Sequence, residues 1–105
     1  LGEEWRVISI AVNGAVTITI AMKLLTIHNS TELLKLLLEA AHQYDKEMVL
    51  DFINVSSLDS TVIAMLVEFN NYMNENKKKL TLVNLSPFIK KTFEILHITK
   101  FFNIK

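Results

Sequence analysis

Side chains able to do chemistry are sparse in this sequence of 105 residues, and their spacing excludes more than it supports. The three histidines, His28, His42 and His97, lie far apart. None has a second histidine three or four residues away, the spacing with which a helix holds zinc. There is no cysteine, so disulfides and thiolate metal sites are excluded and a reducing compartment is the expected home. Among the eleven acidic residues the adjacent pair is Glu3-Glu4, at the start. Asp51, Asp59 and a histidine could meet as a base-and-orienter set around Ser60, but no Gly-x-Ser-x-Gly elbow surrounds that serine. The two glycines, Gly2 and Gly14, leave no glycine-rich loop to cradle a phosphate. No catalytic residue, metal or cofactor is expected, and the chain reads as a protein that acts by binding other proteins.

One segment does concentrate reactive groups: Ser56-Ser57-Leu58-Asp59-Ser60-Thr61. Capping of a following helix by Asp59 or Ser57 accounts for one polar residue there. It leaves Ser60 and Thr61 as a pair of hydroxyls expected to be exposed in the first helical turn. Lys77-Lys78-Lys79 is the other charged cluster. With no interleaved aromatics it reads as a solvated loop end, well placed at a helix C-terminus where positive charge complements the dipole.

The elements that position these residues follow from hydrophobic periodicity. Residues 5 to 20 read as a hairpin: Ile8, Ile10 and Val12 alternate, Asn13-Gly14 suits a two-residue type I′ turn, and Val16, Ile18 and Ile20 alternate again. Asn29-Ser30-Thr31 opens a helix, with Glu32 as capping partner of Asn29. Its buried face is Leu33, Leu36, Leu37, Ala40 and Tyr44. Met48 to Val55 is a nearly continuous apolar run, broken by Asp51 and Asn54, that suits a strand covered on both faces. After the hydroxyl segment a second helix has Val62, Leu66, Phe69 and Met73 as its apolar face, with Met65 beside it. A strand from Leu80 to Leu85 follows, and then Ser86-Pro87, a side-chain cap with proline at the first helical position. Ile89, Phe93 and Leu96 form the third buried stripe, and Phe101 to Ile104 reads as a final strand. The order β-β-α-β-α-β-α-β predicts a single α/β domain with a mixed sheet of four or five strands, an N-terminal hairpin and flanking helices.

Composition agrees with that picture. Half the residues are apolar, with two glycines and one proline, which predicts dense secondary structure. Acidic and basic residues balance at eleven each, so no overall positive field draws nucleic acid or an anionic membrane. No apolar stretch approaches the roughly 20 residues that span a bilayer, and the chain opens acidic where a secretory leader is basic. A cytoplasmic protein is expected.

The segment Val49-Leu50-Asp51-Phe52, followed by Leu58-Asp59-Ser60-Thr61 and an apolar helix, resembles the STAS domain of bacterial anti-sigma factor antagonists. The resemblance takes in the opening hairpin, Asn29 to Leu33, the lysine-rich stretch before the next strand, Leu85-Ser86-Pro87, and Leu96 to Phe102. It implies one STAS-like domain over residues 1–105, without the closing helix that the family carries after Phe101-Phe102. It also implies a partner switch. The unphosphorylated domain would bind a GHKL-type anti-sigma serine kinase and so free a sigma factor. The kinase would phosphorylate Ser60, with Thr61 in reserve, and a PP2C-type phosphatase would reverse this. Ser57, Leu58, Asp59, Ser60, Thr61 and Ile63 are the implied partner contacts. Val62 and Ala64 stand where the family usually has glycines, and Leu25 where it often has an aspartate. These departures favour an alternative, a constitutive STAS-like scaffold such as a subunit of a lipid-transporting ABC system. Phe101, Phe102 and Ile104 are expected near an uncovered part of the sheet, available to a partner or to a second copy as a homodimer.

Overall fold

Alternating apolar and polar residues build the first two strands of the computed structural model, which describes residues 8–105. β1 (Ile8–Asn13) and β2 (Ala15–Ile20) pair antiparallel, with Ile8 opposite Ile20 and Asn13 opposite Ala15. The expected hairpin start at residues 5–7 lies outside the described residues. Gly14 alone carries the turn, at φ +80°, while Asn13 remains in the strand. The expected type I′ turn, which needs positive φ at two central residues, therefore does not form.

The chain continues through β3 (Leu24–Leu25), α1 (Ile27–Gln43), β4 (Met48–Asp51), β5 (Ser57–Leu58), α2 (Ser60–Glu75), β6 (Leu80–Val83) and α3 (Pro87–Ile95). A 3-10 turn at Thr99–Phe101 then leads into β7 (Asn103–Ile104). The main sheet has five strands in the order β1-β2-β4-β6-β7, and every pairing after the hairpin is parallel. β3 and β5 form a separate parallel pair. Successive parallel strands advance across the sheet in one direction, so right-handed crossovers place all three helices on the same face. Residues of that face, Val16, Ile18, Ile20, Leu50 and Leu82, have no exposed surface. On the other face Thr17, Thr19, Val49 and Asp51 are only half-buried. Leu33, Leu37, Leu66, Phe69, Ile89 and Phe93 fill the core from the helices, as their spacing predicts, and each is fully buried.

Several boundaries differ from expectation, each for a local reason. α1 starts at Ile27 with Thr26 as its cap, earlier than an Asn29 cap would allow. The Thr26 hydroxyl accepts the His28 N–H at 3.2 Å, and Asn29 Oδ1 accepts the Thr26 N–H at 3.2 Å. Asn29 is thus the reciprocal partner of a capping box and Glu32 is not. β4 ends at Asp51 instead of running to Val55, because Asp51 Oδ1 accepts the Ile53 N–H at 2.9 Å and folds the chain into an Asx turn. Leu96 is exposed, since α3 has already ended there and the chain reverses at His97. β6 closes at Val83, before Asn84 takes φ +59°.

The lysine cluster and the C-terminal aromatics also have specific roles. Lys77 adopts φ +56° just past α2, and the Lys78 N–H returns to the Met73 carbonyl, a Schellman closure. The Lys78 ammonium donates to the Ala41 carbonyl, so it caps the C-terminal end of α1. Phe102 is buried and stacks on Phe93 with ring centroids 5.4 Å apart. The buried Asn70 side chain donates to the Phe101 carbonyl at 2.7 Å and holds this segment against α2. Of the aromatic pair expected at the uncovered sheet region, Phe101 alone is exposed, while Ile104 is half-buried beside Leu82.

Candidate functional site

The hydroxyl segment lies at the carboxyl end of β4, where loops in parallel sheets are free to carry function. Hydrogen bonds to distant segments fix it. The Ser56 N–H donates to the Lys23 carbonyl at 2.8 Å, and the Asp59 N–H donates to the Leu25 carbonyl at 3.0 Å. The Ser86 hydroxyl donates to the Ser56 carbonyl at 3.3 Å. With Leu24 opposite Ser57 and Leu25 opposite Leu58, the loop is pinned to the start of α1 on one side and of α3 on the other.

Asp59 is the centre of this arrangement. It is the N-cap of α2, with Oδ1 accepting the Val62 N–H at 3.0 Å. Its other oxygen, Oδ2, accepts the Ile27 N–H at 2.8 Å, at the first residue of α1. One carboxylate thus serves two helix N-termini, each carrying the positive end of a macrodipole. Sequence reading identifies the cap on α2; the bond to α1, made across 32 positions, leaves no local signal.

Ser60 follows as the first residue of α2 and is exposed. Thr61 is half-buried and lines a cavity between α1 and α2. Ser57 is half-buried and Ser56 exposed. Leu58 and Ile63 point into the core, with 9% and 7% of their surface exposed. Their side chains support the site from beneath and present little surface for the contacts expected of them. Val62 is fully buried, Ala64 is exposed, and Leu25 is packed in the core.

Around the hydroxyls stands an apolar collar that the sequence did not reveal. Leu24, Ile27, Ile53 and Phe88 are each more than half exposed. Leu24 pairs with Ser57, Ile27 bonds Asp59, Ile53 belongs to the same loop, and Phe88 opens α3 just after Ser86. Ile53 reads in sequence as part of a buried strand, so the Asx turn at Asp51 is what brings it to the surface. The exposed apolar groups and the hydroxyls thus share one pole of the domain.

The groups weighed for chemistry are engaged elsewhere or dispersed. Asp51 Oδ1 accepts the Ile53 N–H and the Asn84 side-chain amide at 2.9 Å each. Both Asp59 oxygens are occupied by backbone N–H groups, so the base-and-orienter set around Ser60 does not form. His28 and His42 are exposed near opposite ends of α1, and His97 is exposed past the end of α3. Among the described residues no cluster of three or more His, Asp or Glu could hold a metal ion, and no helix is long and apolar enough to cross a membrane.

Fold and site together define a single α/β domain with helices on one sheet face and a hydroxyl-bearing helix start at the carboxyl end of its strands. The STAS domain profile matches residues 8–105, and the chain belongs to that family. No curated protein matches it by sequence. Among solved structures it superposes on an anti-sigma-factor antagonist (STAS) domain protein from Planctomyces limnophilus, with TM-score 0.82 and 17% identity over 92% of this chain and 87% of that one. It is similar to the Bacillus cell fate determinant SpoIIAA in its phosphorylated form, with TM-score 0.69 and 16% identity over 93% and 90% of the two chains. It is also similar to a part of the murine anion transporter Slc26a9, with TM-score 0.71 and 17% identity over 80% of this chain and 14% of that one. At these identities the likeness is one of fold.

Proposed function

We propose that this STAS domain is a partner-switching anti-sigma factor antagonist, binding a GHKL-type serine kinase through the carboxyl-end pole and losing that partner when Ser60 is phosphorylated. The observation that carries this reading is the placement of Ser60, exposed in the first turn of α2 beside Asp59 and within the collar of Leu24, Ile27, Ile53 and Phe88. A kinase can reach that hydroxyl without unfolding the domain. A phosphate adds roughly −1.5 to −2 charges. In the free domain water and the helix N-terminus accommodate it. In a packed apolar interface it must be desolvated beside the like charge of Asp59, so binding suffers more than folding. A loss of about 2.8 kcal/mol is a hundredfold in affinity, enough for a switch. Thr61, half-buried, is the reserve acceptor, and a PP2C-type phosphatase would reset the site. Ser57, Ser60 and Thr61 would touch the partner, with Leu58 and Ile63 shaping the surface from below. In this reading the domain has no catalytic role of its own and works in the cytoplasm.

Calorimetry against a cognate kinase tests the proposal, together with mass spectrometry of the kinase reaction. Wild type and Ser60→Ala should bind, Ser60→Asp should bind about a hundredfold more weakly, and phosphate should appear on Ser60. Equal affinity for all three, with no phosphate on Ser60 or Thr61, would leave a constitutive STAS-like scaffold, for example in a lipid-transporting ABC system. One feature favours that second reading: at the position where related domains often carry an aspartate, Leu25 is sealed in the core.

A further inference from the structure

A groove begins at Thr61 and runs down the seam between α1 and α2. Its upper part, a cavity of about 250 Å³, is lined by Leu34 of α1 and by Thr61, Met65 and Glu68 of α2, among others. Its lower part, about 460 Å³, is lined by Leu38, Glu39 and His42 of α1 and by Tyr72 of α2. Leu34 to Leu38 and Glu68 to Tyr72 are each one helical turn, so the two cavities follow one another along the same pair of helix faces. From Thr31 to His42 the groove is about 16 Å long, roughly three turns of helix. Its floor is apolar: Leu34, Leu38 and Tyr72 are half-buried against the core, and Met65 is buried.

Charge decides what fits. Neither cavity is lined by a lysine or arginine, and both carry a glutamate. Across the two helices four carboxylates, Glu32, Glu39, Glu68 and Glu75, stand against one lysine, Lys35, with the imidazoles of His28 and His42 on α1 beside them. The whole chain is neutral, so this face holds a local acidic excess. An apolar floor three turns long between acidic rims matches the apolar stripe of one helix with lysine or arginine beside it. The geometry points to the α1–α2 groove as the docking site for a basic amphipathic helix of a partner protein. This rests on the reading of the domain as a partner-binding module, but it needs neither a kinase nor phosphorylation. The acidic rims repel acidic peptides and anionic lipid surfaces. A second copy is the competing occupant, since α3 is short and carries Lys90 and Lys91.

The test uses a fluorescent leucine–lysine helical peptide of about 14 residues, three to four turns long, and a leucine–glutamate peptide of equal length. The lysine peptide should bind at least about tenfold more tightly, with amide shifts at Leu34, Leu38, Met65 and Tyr72. Glu39→Lys combined with Glu68→Lys, both at exposed positions, should keep the circular dichroism spectrum and lose about tenfold in peptide affinity. Equal binding of both peptides would overturn the inference. So would shifts confined to the Ser60 pole, an unchanged affinity in the double variant, or groove shifts that grow with protein concentration alone, which would identify a second copy. The assay contains no kinase, so failure of the phosphorylation switch leaves it standing. Its own failure leaves the Ser60 experiment unaffected.

Discussion

Replacing Asp59 by alanine removes one carboxylate and leaves two helix starts unsatisfied. The Val62 N–H loses its cap at 3.0 Å and the Ile27 N–H loses its partner at 2.8 Å. Loss of an N-cap acceptor typically costs about 1 kcal/mol. The second bond, to a charged acceptor, is worth about another 1 kcal/mol, below the roughly 1.5–3 kcal/mol usual for charged partners because water reaches this exposed contact. Asp59→Ala should therefore destabilise the domain by about 2 kcal/mol, a fall of roughly 8–15 °C in Tm for a chain of this size. Asp59→Asn keeps one acceptor but turns an amide donor toward the other N–H, and should lose about half as much. Urea unfolding with an unchanged slope measures both, and hydrogen exchange at Ile27 and Val62 localises the loss. Thr26 caps the same start of α1, so Thr26→Ala should couple to Asp59→Ala by more than about 0.5 kcal/mol in a double-mutant cycle. An Asp59→Ala domain within about 0.5 kcal/mol of wild type, or strict additivity with Thr26→Ala, would refute the two-helix clasp.

Truncating Leu66 or Phe69, both fully buried, to alanine should cost about 2–5 kcal/mol in chemical denaturation; neutral behaviour of both would contradict the core. His97 closes α3 at φ +59°, with the Ile98 N–H returning to the Phe93 carbonyl. Because glycine carries no steric penalty in that conformation, His97→Gly should raise stability by about 0.5–1 kcal/mol, seen as a higher Tm. Lys78→Met should keep the aliphatic packing but remove the donor to the Ala41 carbonyl, with faster amide exchange in the last turn of α1 and a loss of about 0.5–1 kcal/mol.

How much of this was legible in the sequence depends on the distance over which each feature is decided. The helix faces were legible because burial repeats within a turn: Leu33 and Leu37, Leu66 and Phe69, Ile89 and Phe93 all point inward as their spacing requires. The start of α3 was legible because Ser86 and Pro87 act on their own neighbours, the serine accepting the Ile89 N–H at 3.2 Å. Asp51 misled the strand reading because one polar residue inside an apolar run can face sideways in a strand or fold back on its own backbone. Here it accepts the Ile53 N–H and the side chain of Asn84, across 33 positions. The second partner fixes the choice, and no local pattern announces it.

The site repeats that lesson with more at stake. Asp59 and Ser60 were found from their neighbours alone, as a cap followed by an exposed hydroxyl. What makes them a surface is tertiary: Lys23 and Leu25 hold the loop, Ser86 ties it to α3, and Ile27 takes the second oxygen of Asp59. Those bonds draw the start of α1, the loop after β4 and the start of α3 to one pole, and the exposed Leu24, Ile27, Ile53 and Phe88 come with them. Each of the four is an unexceptional apolar residue in its own segment. They become a collar only because parallel strands joined by right-handed crossovers bring successive helix starts to the same end of the sheet. The topology that buries the core is therefore also what assembles the exposed apolar pole. A substitution that loosens the Asp59 clasp should accordingly disturb recognition at Leu24 and Ile27 even though it removes no side chain of the collar.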